Sequence, residues 1–133
     1  MVDYALQRRA LLADVASGRV GTASVCDAGP YLLRAARFHG EPDEQTCPVC
    51  RREQLTHVSW IFGDSLKHAS GSARKPAELD GLAEQHDDFT VYVVEVCRGC
   101  SWNHLVQSYV LGTGSPDGRR SRRSDRRRRT AAE

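Results

Sequence analysis

The chain has 133 residues, room for one domain and a tail but not for two separate cores. Its 40% hydrophobic and 27% charged content is that of an ordinary globular protein, and no run approaches the ~18 consecutive apolar residues of a membrane helix. The formal charge of +2 hides a division: residues 1–111 hold eleven Lys and Arg against fourteen Asp and Glu, whereas residues 112–133 hold eight Arg against three acids, so an acidic body adjoins a basic end.

The opening MVDYALQRRALLADVASGR places Tyr4, Ala5, Leu11, Leu12 and Val15 at helical spacings, with Gly18 as a stop. Arg8 and Arg9 interrupt that apolar pattern, so it is not the hydrophobic core of a secretory signal. The expectation is a cytoplasmic protein with reduced cysteines, for which metal ligation is the leading use of paired thiols. Thr22 can cap a short turn running to Ala28, and Pro30 suits the first position of a second helix that ends at His39 before Gly40. Residues 1–40 thus form a helical segment. Its layout suits either a helical cap, with Leu32, Leu33 and Phe38 on the sheet, or a helix-turn-helix whose Tyr31, Arg34 and Arg37 would enter a major groove.

The polar EPDEQT at 41–46 reads as a linker, and 55–62 as a strand rich in β-formers. Residues 63–88 then break the pattern with Gly, Ser and Pro, leaving Leu66, Leu79 and Leu82 to anchor one or two short helices. FTVYVVEV at 89–96 carries apolar residues on both faces, the mark of a central strand covered by helices, and HLVQSYVL at 104–111 makes a third strand. From Gly112 onward the chain is turn-forming, charged and nearly free of apolar groups, a composition that predicts disorder over 112–133. The fold class expected is therefore α+β: N-terminal helices on a three-stranded antiparallel sheet spanning 41–111, with a helical insertion at 63–88.

Chemistry concentrates in TCPVC and VCRGC, two Cys-x-x-Cys pairs in which 46 residues separate Cys50 from Cys97. A Cys-x-x-Cys turn aims two sulfurs at one point, and two such turns supply the tetrahedral four-sulfur set that zinc favours. Cys47, Cys50, Cys97 and Cys100 are thus the predicted ligands of one structural zinc ion, with Pro48 stiffening the first turn and Gly99 free to take positive φ in the second. A redox dithiol is the competing use, but a thioredoxin-type pair sits at a strand-to-helix turn and both pairs here run into strands. An iron–sulfur cluster usually draws its cysteines from closer together in the chain.

This constellation resembles a zinc ribbon, although Arg51 and Ser101 stand where the common ribbon knuckle has Gly after its second Cys. The helical start followed by CPVCRRE and FTVYVVEVCRGCSWNHL also looks like a small actinobacterial family of uncharacterised function, a likeness that implies architecture and no activity.

The other candidates read as structural. Cys26 has no near cysteine and belongs in the core, His57 and His104 flank a ligand shell already filled by sulfur, and Asp87 and Asp88 begin a turn. Trp60 and Trp102 read as sheet-packing residues, with partner contact as the alternative. No catalytic constellation remains, so the protein is expected to be no enzyme. It reads as a zinc-stabilised adaptor for a protein or ribonucleoprotein partner in transcription or translation, with no membrane and no small-molecule substrate. The alternatives are a DNA-binding regulator using residues 22–39 and a zinc-thiol redox sensor. Non-specific nucleic-acid contact would fall to Arg119, Arg120, Arg122, Arg123, Arg126, Arg127, Arg128 and Arg129, joined by Arg34 and Arg37 on the helix.

Overall fold

The computed structural model describes residues 1–114; the predicted tail, with its eight arginines at 119–129, lies outside them apart from residues 112–114. The order is β1 (Val2–Asp3), α1 (Ala5–Ala16), α2 (Thr22–Val25), α3 (Pro30–His39), β2 (Glu41–Thr46), β3 (Gln54–Phe62), a 3-10 turn (Asp64–Ala69), β4 (Ser72–Arg74), α4 (Pro76–Gln85), β5 (Phe89–Val96) and β6 (Asn103–Leu111). All strands of the described residues join one antiparallel sheet of six, ordered β1-β6-β5-β3-β2, with β4 sharing the outer edge of β3 with β2. The class is α+β as the sequence implies, but the expected three-stranded sheet needs correcting. The three predicted strands form its centre, and three short strands complete it at the edges.

Those added strands follow a common rule. EPDEQT has neither apolar alternation nor β-branched residues apart from Thr46, yet Glu41 and Pro42 pair with His57 and Thr56 before the register breaks. An edge strand needs only backbone hydrogen bonds on one side, so it accepts charge and proline that a central strand could not. Gly40 fixes how α3 enters this strand, because a Cβ there would collide with the Thr56 methyl group and the Ala36 carbonyl oxygen. The insertion at 63–88 holds one α-helix and a 3-10 turn, and between them the short strand β4.

Alternation along β3 and β5 separates two faces. Ile61 pairs with Val91 and His57 with Glu95 on one face, while Val58 pairs with Val94 and Thr56 with Val96 on the other. Leu66, Leu79 and Ala83 cover Ile61, Phe89, Val91 and Val93 on the first face. Ala35 and Ala36 of α3 press against Val58 and Val96 on the second. A third cluster, at the end of the sheet, gathers Val25, Leu55, Trp102, Cys47 and Cys97, with Leu11, Leu12 and Val15 of α1 against it. β5 is thus covered on both faces, which explains its nearly continuous apolar run.

Among the described residues, one charged group lies inside. Glu95 is 2% exposed and takes hydrogen bonds from Arg8 Nε at 2.8 Å and from the indole Nε1 of Trp102 at 2.7 Å. The Arg8 that breaks the apolar pattern of α1 therefore fastens the helix to the sheet, because a buried carboxylate requires both a counter-charge and donors.

Candidate metal centre

The two cysteine turns occupy equivalent places in the sheet. Cys47–Cys50 connects β2 to β3, and Cys97–Cys100 connects β5 to β6. β3 and β5 pair antiparallel with Thr56 opposite Val96, so the start of one meets the end of the other and both turns project from the same end. The long separation in sequence is a consequence: the chain must travel out along β3 and back along β5, and the intervening 3-10 turn, β4 and α4 lie along that path.

Locally the turns repeat one hydrogen-bond pattern. The amide of Cys47 donates to the Glu53 carbonyl (2.8 Å) and that of Cys97 to the Trp102 carbonyl (2.8 Å). The amide of Arg51 donates to the Cys47 carbonyl (3.0 Å) and that of Ser101 to the Cys97 carbonyl (2.9 Å). Closing each turn this way drives the residue after the second cysteine into the left-handed region, with φ of 58° at Arg51 and 72° at Ser101. A non-glycine residue held in that region bears backbone strain. The expectation of positive φ at Gly99 was misplaced. What Gly99 supplies is space, since a Cβ there would lie 2.6 Å from Cγ of Glu53.

The four sulfurs lie within 4.8 Å of one another, with Cys47 to Cys100 and Cys50 to Cys97 each at 3.6 Å. Zn–S bonds of ~2.3 Å in a tetrahedron set sulfurs about 3.8 Å apart, so the donor set fits zinc in kind, number and spacing. The amides of Val49 and Cys100 donate to the sulfurs of Cys47 and Cys97, each at 3.4 Å, an arrangement that stabilises thiolate. Cys47 and Cys97 are buried, while Cys50 and Cys100 are half-buried. In the free thiols, burial raises Cys47 and Cys97 and pushes Cys100 up to about 11, whereas backbone donors at Arg52 and Glu53 bring Cys50 down to about 7. A bound cation would reverse the burial effect, because it charges the same low-dielectric space positively.

Cys26 was missed. Read as a lone core residue, it sits at the edge of the third cluster with its sulfur 3.7 Å from that of Cys100. A hydrogen bond from the Ala28 amide to the Ser101 carbonyl, 3.0 Å, holds the end of the α2 segment against the second turn. Only structure reveals this, since Cys26 lies in a different element with no spacing signal. The histidines stay apart from the sulfurs: His57 reaches Asp43 at 3.6 Å, and His104 stacks on Trp102 with centroids 5.9 Å apart. Trp102 is fully buried as expected, but Trp60 is half-buried beneath Tyr31. Asp87 lies in the turn before β5, its carboxylate accepting from Thr113 at 3.4 Å. Arg34 and Arg37 lie on α3, beside grooves that Tyr31, Phe38 and Arg98 also line.

Fold and site together define an α+β protein in which two cysteine turns, held at one end of an antiparallel sheet, form a cluster able to hold a metal ion. The chain belongs to the family of unknown function DUF5318, whose model matches residues 1–126. It is 63% identical over 115 residues to the uncharacterised proteins Mb0050 of Mycobacterium bovis and Rv0049 of Mycobacterium tuberculosis, an alignment covering 86% of this chain and 84% of each relative. No solved structure matches the chain. Among the described residues, no helix is long and apolar enough to cross a membrane.

Proposed function

We propose that this is a non-enzymatic, zinc-stabilised adaptor that docks on a macromolecular partner of the transcription or translation apparatus. The observation that carries the reading is the four-sulfur set at the joined tips of two hairpins. A zinc ion held by four thiolates has no position left for water or substrate, so it serves as a clamp, and its energy goes into holding β2–β3 and β5–β6 in one sheet. The zinc-ribbon likeness belongs to this reading, and what supports it is the pair of Cys-x-x-Cys turns at the tips of paired strands.

The test has two parts. Elemental analysis of the purified protein should give one zinc per chain. Tagged protein recovered from its native cell after nuclease treatment should bring ribosomal or RNA polymerase subunits in stoichiometric amount. Absence of zinc removes the clamp, and recovery of the tagged chain alone removes the adaptor.

The zinc-thiol redox sensor has one specific observation in its favour, the Cys26 sulfur beside Cys100. Hydrogen peroxide would oxidise the Cys100 thiolate to a sulfenic acid with release of hydroxide. The Cys26 thiol would then displace water from that sulfenic acid to form a disulfide, and the metal would lose a ligand. Peroxide treatment that neither releases zinc nor links Cys26 to Cys100 eliminates this second reading.

A further inference from the structure

Helix α3 turns Ala35 and Ala36 into the sheet and carries Tyr31, Arg34, Arg37 and Phe38 on its other sides. Tyr31 is 68% and Phe38 57% exposed, a costly placement for large rings in a domain this small. Tyr31 is not loose. It stacks on the half-buried Trp60 with centroids 5.5 Å apart and planes 23° from parallel, so its outer face is presented rigidly. The guanidinium of Arg37 lies 5.2 Å over the Phe38 ring. Tyr31, Phe38 and Trp60 line a groove of about 360 Å³, and Phe38, Arg34, Arg37 and Arg98 line the depression beside it.

Charge sharpens the pattern. Arg8, Arg19 and Arg74 each reach a carboxylate, whereas Arg34, Arg37 and Arg98 have no such partner among the described residues. A body with an excess of acids thus keeps three uncompensated guanidinium groups together beside the exposed Phe38, with Tyr31 in the adjoining groove. A ligand that matches both must repeat a flat π face and a negative charge. Single-stranded nucleic acid does so at every unit. A duplex hides its base faces in the stack, and α2 is a single turn of four residues, giving little of the first helix that a helix-turn-helix lays across a DNA backbone.

We propose that the outer face of α3 is a binding platform for single-stranded nucleic acid, with bases stacking on Tyr31 and Phe38 and against Trp60, and phosphates lying along Arg34, Arg37 and Arg98. Tyr31 and Phe38 are seven residues apart, about 10 Å along the helix, so they receive two different bases. The platform deepens the adaptor reading by naming a ligand class for one of its surfaces. The arginine-rich end of the chain adds a sequence-independent, salt-dependent attraction to the same polyanion.

The experiment uses the full-length zinc-loaded protein and a labelled 12-mer of mixed sequence, as RNA, as DNA and as DNA duplex, with fluorescence anisotropy at several salt concentrations and tryptophan emission in parallel. Single strands should bind more tightly than duplex and quench Trp60, and Trp60→Phe should remove the quench while the buried Trp102 still emits. Tyr31→Ala and Phe38→Ala should each weaken binding about tenfold, the size of one lost base stack, without changing the salt slope. Changing Arg34, Arg37 and Arg98 to Gln should flatten the slope of log K against log salt by about two. Wild-type affinity in both aromatic variants, duplex binding as tight as single-strand binding, or unquenched Trp60 would each overturn the platform. Zinc content and melting temperature of the same samples verify that the variants are folded. A platform that fails while nuclease-resistant recovery of protein subunits persists leaves the adaptor reading intact, so the two can fail separately.

Discussion

Replacing Arg8 by Met removes the counter-charge of a carboxylate that cannot reach water. Glu95 has a side chain only 3% exposed, and its two oxygens are taken by Arg8 at 2.8 Å and Trp102 at 2.7 Å. Removing one partner of a buried pair typically costs about 3–5 kcal/mol. The Arg8 side chain is 25% exposed, so water can enter where it stood, and the lower end applies, about 3 kcal/mol. For a domain of this size that is a fall in melting temperature of roughly 10 °C. Glu95→Gln keeps an acceptor for the indole but sets an amide against Arg8, costing about 2 kcal/mol as a charged hydrogen bond is lost. The double variant should cost at least ~1 kcal/mol less than the sum, because neither change leaves the other group stranded. Urea unfolding followed by tryptophan emission measures all three, since Trp102 is fully buried beside the pair. A loss below ~0.5 kcal/mol in Arg8→Met, or strict additivity in the double variant, would refute the claim that the pair fastens α1 to the sheet. The Trp102 carbonyl also accepts the Cys97 amide at 2.8 Å, so loosening the indole should ease metal release.

Gly40→Ala should destabilise the protein by more than ~2 kcal/mol in a denaturant titration, because a methyl group there meets the Ala36 carbonyl and the Thr56 side chain. Ser101→Gly should stabilise it by about 0.5–1 kcal/mol, the left-handed strain at φ 72° outweighing the entropy of glycine; equal or lower stability would show the turn unstrained. Cys26→Ser should retain metal and melting temperature, whereas Cys97→Ser should lose both; metal loss in Cys26→Ser would place the fifth sulfur in the coordination shell. Because burial holds protons on Cys47, Cys97 and Cys100, metal uptake near neutral pH should release protons, and apparent affinity in competition with a chromophoric chelator should fall as pH falls from 8 to 6.

The parts of this fold legible in the sequence are those with a local signal. Pro30 and Gly40 marked the bounds of α3, β-forming composition marked the three long strands, and the doubled Cys-x-x-Cys marked the four converging sulfurs. Edge strands carry no such mark: Glu41–Thr46 pairs through its backbone alone, so its side chains read as a linker. Arg8 interrupted the apolar pattern of its helix, and Glu95 stood among the valines of a strand read as apolar on both faces. Neither explains itself alone, because the reason for each is the other, 87 residues away. Cys26 was hidden for the same reason, since its proximity to Cys100 arises from the return of the α2 segment against the second turn. Arg51 and Ser101 show the opposite case, a local rule applied to the wrong residue type: non-glycine side chains hold the left-handed position that the turn demands.

The clamp at the joined hairpin tips is tested most directly by zinc-edge X-ray absorption on the purified protein. A structural site made by Cys47, Cys50, Cys97 and Cys100 requires a single shell of four sulfurs at about 2.3 Å, unchanged in Cys26→Ser. A shell containing nitrogen or oxygen, or a protein that folds fully and carries no zinc, would contradict it.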